Sequence, residues 1–213
     1  MRDNQQILLP QLLKSLNSNY PDEIKAAINA ILATYRDAET IAETIAQIMP
    51  NRRSLNLILS SLQYRLSGYG KDILGVVKAV LSVLISDSVT ISLQIKLAVA
   101  SLPWDELGEF LQEVNNQGKL HADALAAAED AILHVYHRPD IDRLHHLETT
   151  LAASKDETLR RFAVSALIAQ TNSKLGWNQE RINRLLAYRR DSSVLVAAAA
   201  QFIFPPDNII TEN

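Results

Sequence analysis

Residues 147–167 read LETTLAASKDETLRRFAVSAL. Apolar residues recur at helical spacing on both sides of the short polar segment Ser154-Lys155-Asp156. Asp156 is the residue type that caps a helix, its carboxylate accepting from backbone amides a turn ahead. Leu159 follows at a position suited to a core. Ala163 and Ala166 are small enough to let neighbouring helices approach closely. The stretch predicts two helices joined by a tight, capped turn.

The same pattern extends in both directions. Turn residues divide the chain into about twelve helices, at 4–16, 21–35, 37–49, 52–66, 71–85, 89–102, 103 to about 115–118, 120–137, 141–153, 157–171, 178–188 and 192–204. Pro21 suits a first helical turn, Asp37 and Asn178 suit N-caps, and Gly68 with Gly70 marks a break. Pro139 and Pro205-Pro206 stop the helices before them. No alternating strand pattern bounded by Asn-Gly or Asp-Gly occurs. Short loops between such helices make them antiparallel neighbours, and two helices in every 35 residues or so mark a stacked helical repeat. No Pro-, Gly- or Ser-rich linker interrupts 1–204, which predicts one continuous domain followed by a polar tail at 205–213.

Composition narrows the function classes. Only 6 glycines occur in 213 residues, and Ala, Leu and Ile dominate, which disfavours an all-β fold. The absence of cysteine excludes disulfides, thiol catalysis and thiolate metal sites. It also fits a reducing compartment, so a cytoplasmic location is expected. The formal net charge of −3, with both signs interspersed, lacks the basic excess that phosphate binding favours. Nucleic acid is accordingly a poor partner. The most apolar run, ILGVVKAVLSVLI at 73–85, is about half the length that spans a bilayer and is interrupted by Lys78. It predicts a buried helix, not a membrane segment.

Two further segments share the features of 147–167. Residues 8–33, LLPQLLKSLNSNYPDEIKAAINAILA, carry Pro10 in the first helix, Asp22 near the turn, then Ile24-Lys25 followed by Ala26, Ala27 and Ala30. Residues 191–202, DSSVLVAAAAQF, carry Asp191, Val194 and the alanine run 197–200, with Val194 35 residues after Leu159. In these three helix pairs the chain resembles the HEAT-repeat, armadillo-like family. That resemblance implies an all-α fold, a right-handed α-α superhelix (solenoid) of about six antiparallel pairs. Its second helices would line a concave side where partners dock. On that mapping Lys25, Asn29, Arg52, Arg53, Gln63 and Arg160 are candidate partner-binding residues, together with Gln94, Asp130 and His134. Ala163, Ala198 and Ala199 are expected where helices approach closely. The implied function is a non-catalytic protein–protein interaction scaffold or adaptor without a cofactor, and its basic groups favour an acidic partner segment. The alternative the family offers is an enzyme, either a bilin lyase acting on phycobiliproteins or a glycosylase excising alkylated DNA bases.

Catalytic signatures are otherwise lacking. All five histidines lie between His121 and His146, with His134/His137 and His145/Glu148 each at i, i+3 spacing. No cysteine or HExxH supports a metal site, so none is expected. Carboxylate pairs such as Glu39/Glu43 and Asp105/Glu109 are ordinary for helix surfaces. Neither a glycine-rich phosphate loop nor a GxSxG occurs. Trp104 and Trp177 stand near helix starts, where packing is the expected role.

Overall fold

The computed structural model describes residues 2–34, 37–66, 74–85, 87–135, 138 and 140–206, and the side chains of all of these except 2–8 and 63–66. Among the described residues the chain is twelve α-helices with no strand. They are α1 (Arg2–Leu16), α2 (Pro21–Thr34), α3 (Ala38–Ile48), α4 (Arg52–Leu66), α5 (Leu74–Leu84), α6 (Ile91–Ser101), α7 (Trp104–Asn116), α8 (Ala122–Leu133), α9 (Leu144–Ala152), α10 (Glu157–Thr171), α11 (Gln179–Tyr188) and α12 (Val194–Gln201). The Gly68/Gly70 break, His137, Pro139 and the tail beyond Pro206 lie outside the described residues.

In α2 and α3 the buried residues form one stripe at i, i+3, i+4, i+7 spacing. In α2 the stripe is Ile24, Ala27, Ile28 and Ile31; in α3 it is Ile41, Thr44, Ile45 and Ile48. The apolar run at 73–85 behaves as expected, since Val76, Val77, Val80, Leu81 and Leu84 of α5 are buried. No described helix is long and apolar enough to cross a membrane.

The helices cluster into two compact units, Met1–Leu102 and Pro103–Asn213. In the first unit α3 packs between α1 and α5, while α4 packs between α2 and α6. Each odd helix also packs on the even helix that follows it, giving two layers built from three pairs. In the second unit α7 packs on α9, α10 packs between α8 and α12, and α9 packs on α10 as α11 does on α12. Neighbouring helices in each unit thus pack as a helical repeat does.

The expected caps form. Asp37 Oδ1 accepts from Thr40 N at 2.8 Å, Asp156 Oδ1 from Thr158 N at 2.8 Å and Leu159 N at 3.2 Å, and Asn178 Oδ1 from Arg181 N at 2.9 Å. Where the second pair lacks an acidic turn, Asn51 substitutes, its Oδ1 accepting from Ser54 N at 3.2 Å. At the end of α7 the chain reverses through Gly118, whose φ of 66° lets Lys119 N reach back to Val114 O at 3.1 Å.

The register read for the last helix needs correction. Val194 is 83% exposed, whereas Val196 and Ala200 are fully buried. The reason is the cap. Asp191 sits two residues ahead of the actual N-cap, Ser193, and accepts from Ser193 N at 2.8 Å. Val194 is therefore the first helical residue and points outward, as Glu157 does in α10. Val196 takes the core position that Leu159 fills in α10. Ala163 is fully buried as expected, but Ala198 is exposed and Ala199 only half-buried.

Candidate functional site

Within each unit, polar residues at the turns link neighbouring helix pairs at close to the repeat length. In the first unit Asn51 Nδ2 donates to Leu16 O at 3.1 Å and to Asn17 Oδ1 at 3.2 Å, and Ser54 Oγ also donates to Leu16 O. One pair on, Arg52 Nη1 reaches Asp87 Oδ2 at 2.6 Å, and Thr90 Oγ1 donates to the same oxygen at 2.8 Å. In the second unit Arg160 makes a two-pronged bond to Asp191, Nε to Oδ2 at 3.0 Å and Nη2 to Oδ1 at 3.1 Å. Its Nη1 donates to Ser154 O and Lys155 O, which closes the turn beneath it. Ser193 Oγ donates to Glu157 Oε2 at 2.5 Å, Arg161 pairs with Glu129, and Trp104 Nε1 donates to Asp140 O at 2.9 Å. Trp104 is buried, with the Arg138 guanidinium 3.7 Å from its ring centroid.

These ties determine what the candidate residues can do. Of the candidates, Arg52 and Arg160 belong to the turn ladder: Arg52 is 46% exposed beside a buried Asp87, and Arg160 is 16% exposed beside an Asp191 that is 15% exposed. Gln94 belongs to the core, not the surface. It is fully buried, and its Nε2 donates to Leu84 O, Asp87 O and Thr90 Oγ1. Asp130 and His134 are exposed and lie 3.4 Å apart on α8. The side chain of Gln63 lies outside the described residues. Lys25 and Asn29 are exposed one turn apart on α2. Arg53 is exposed at the start of α4 and donates to Asn19 O at 3.4 Å. Asn56 and Ser60 follow it on the open side of α4. These five exposed residues lie on α2 and α4, the second helices of the first two pairs, which pack against each other, and the exposed Asp22 stands one turn before Lys25.

The described histidines serve separate roles. His121 caps α8, accepting from Ala124 N, and no group of three or more His, Cys, Asp or Glu suited to a metal occurs among the described residues. His145 instead faces Glu148, Nδ1 to Oε2 at 3.5 Å. Glu148 is fully buried and organises the centre of the second unit. Its Oε1 accepts from Arg184 Nε at 3.0 Å and Tyr188 OH at 3.1 Å, and its Oε2 from Gln170 Nε2 at 2.6 Å. Burial, reinforced by the adjacent Glu148 carboxylate, raises the Tyr188 phenol well above its ordinary value. Tyr188 therefore stays protonated and donates. With both carboxylate oxygens engaged, Glu148 joins α9, α10 and α11 and is a structural hub. The sequence signal was available: Glu148 occupies a core position in the series Leu144, Leu147, Glu148, Leu151. Spacing alone tied it only to His145.

The ladder carboxylates also predict the acid response. The hydrogen bond from Arg160 holds Asp191 below its ordinary 3.8. For Asp87, burial pushes upward, but the bonds from Thr90 and Arg52 outweigh it and the net shift is downward. Asp156 is likewise lowered by Asn115 and the α10 amides against the opposing effect of burial. A depressed carboxylate contributes stability that is complete above its unfolded value and is lost as pH falls through the folded one. Stability should therefore decline as pH drops below about 4, and Asp191→Asn should start lower at neutral pH and decline less steeply. Denaturant unfolding at a series of pH values checks this; parallel profiles for parent and variant would contradict it.

No known family model matches this chain, and no curated protein matches it.

Proposed function

We propose that each unit is a right-handed stack of antiparallel helix pairs of the HEAT kind. On this reading the chain is a non-catalytic scaffold or adaptor of the cytoplasm that binds another protein along its second helices. The observation that carries the reading is the division of labour among the polar side chains. The turn ladder and the Glu148 hub pair Arg52, Arg160, Arg161 and Arg184 with carboxylates of the fold, and of these four only Arg52 is itself exposed. Lys25 and Arg53 remain exposed on the α2/α4 strip beside Asn29, Asn56 and Ser60. Taken as a strip open along its length, they give two cations and three neutral polar groups beside one carboxylate, Asp22, and the net positive charge suits an extended acidic segment of a partner. Amide and hydroxyl groups meet its backbone and the cations meet its carboxylates.

Charge reversal at the strip tests this without disturbing the ladder. Lys25→Glu with Arg53→Glu should keep the parent helicity and melting behaviour, since surface substitutions of this kind change stability by about 0.5 kcal/mol. The doubly reversed protein should fail to capture from source lysate the partner that the parent captures. Retention of every captured protein by the folded variant would refute the assignment of the strip.

A further inference from the structure

We propose that the open face of α12 is a self-association surface, on which a second copy of this chain docks its own α12 about a two-fold axis passing near Ala198. Val194 is 83% exposed and Phe202 81% exposed, and with Ala198 they form a stripe at i, i+4, i+8 on one side of the helix. Phe204, 77% exposed, extends the apolar surface just past the helix end. Among the described residues α12 packs on α10 and α11 through Val196 and Ala200, and this stripe points away from that contact.

Three features identify the occupant as a second α12. First, α12, VLVAAAAQ, carries no charged side chain, alone among the described α-helices, so two copies meet without like-charge repulsion. Second, the stripe is arranged symmetrically about its small central residue. An antiparallel crossing sets Val194 of each copy against Phe202 of the other and Ala198 against Ala198, which lets the helices approach closely. An isologous interface requires this reciprocity. Antiparallel docking also places the positive end of each helix dipole beside the negative end of the other. Third, the area suffices. Two phenylalanines and a valine expose on the order of 400 Å² of apolar surface per copy. The pair thus brings about 800 Å² to the contact, with Leu195, Ala197 and Gln201 at its margin, the size of a weak, reversible interface below the roughly 1,200–2,000 Å² of stable ones. The α12 stripe shares no residue with the α2/α4 strip, so separate variants address partner binding and self-association.

Sedimentation equilibrium of the full chain tests the proposal. The parent should dimerise with a dissociation constant of about 1–100 µM, and Ala198→Glu, which brings two carboxylates together at the axis, should be monomeric with unchanged helicity. The absence of cysteine allows a second readout. Ala198→Cys should oxidise to a covalent dimer far faster than Gln117→Cys, an exposed position in the turn after α7, because only a residue at the axis meets its own copy. A parent that stays monomeric at about 100 µM, an Ala198→Glu protein that still dimerises, or equal crosslinking of the two cysteine variants would overturn the proposal.

Discussion

Replacing Glu148 with alanine should destabilise the second unit by about 3–5 kcal/mol, the usual loss when one member of a buried, hydrogen-bonded charge pair is removed. The loss has two sources. The carboxylate is fully buried between α9, α10 and α11. Its removal leaves the Tyr188 hydroxyl, 3.1 Å away, without its acceptor, and the Gln170 amide, 2.6 Å away, with only its bond to Ala166 O at 3.2 Å. Each buried donor left unpaired costs about 1–3 kcal/mol. Arg184 fares better, because its Nη1 also reaches the exposed Glu180 at 2.5 Å. Glu148→Gln keeps the shape and an acceptor oxygen while removing the charge, so it should lose less than the alanine variant. Tyr188→Phe, which removes a single donor, should lose about 1 kcal/mol. Denaturant unfolding followed by tryptophan fluorescence measures all three, since Trp104 and Trp177, the two tryptophans of the chain, both lie in the second unit. Equal stability of Glu148→Ala and parent would show that the hub does not hold these helices together.

Phe162→Ala should cost a comparable amount, about 3–5 kcal/mol, for a different physical reason. Phe162 is fully buried and is the largest of the fully buried side chains. It lies in α10, which packs against α8, α9, α11 and α12 and buries ten residues. A helix enclosed on so many sides cannot collapse around a missing ring, so the cavity persists and the lost contacts are not replaced. Phe162→Leu, which retains most of the volume, should lose much less. The same fluorescence unfolding experiment ranks the variants, and an alanine variant within about 1 kcal/mol of the parent would mean that α10 is not the centre of its unit.

Much of this architecture was legible in the sequence because it rests on local chemistry. The stripes of α2 and α3 follow from periodicity alone, and Asp37, Asp156 and Asn178 cap their helices because their side chains satisfy amides two or three residues away. Register at α12 was harder to read, because Asp191 and Ser193 are both capping residue types and only the fold decides which one starts the helix. The candidate site was legible in part. Repeat alignment named Lys25, Asn29 and Arg53 as concave-side candidates, and all three are exposed positions of α2 and α4. It could not distinguish them from Arg52 and Arg160, whose partners Asp87 and Asp191 stand 35 and 31 residues away. Such long-range pairing leaves no mark in the sequence around an arginine. Gln94 and Gln170 illustrate the same limit, since a glutamine at a core position reveals its burial but not its partners.

The central claim, that the chain binds a partner protein through the α2/α4 strip, is tested most directly by titrating the captured partner against folded parent and folded Lys25→Glu/Arg53→Glu protein at low and physiological salt. The account predicts an affinity that weakens as salt rises and a loss of roughly tenfold or more in the reversed variant, with Ala198→Glu binding as the parent does. Equal affinity of the parent and the Lys25→Glu/Arg53→Glu protein at both salt concentrations would contradict it.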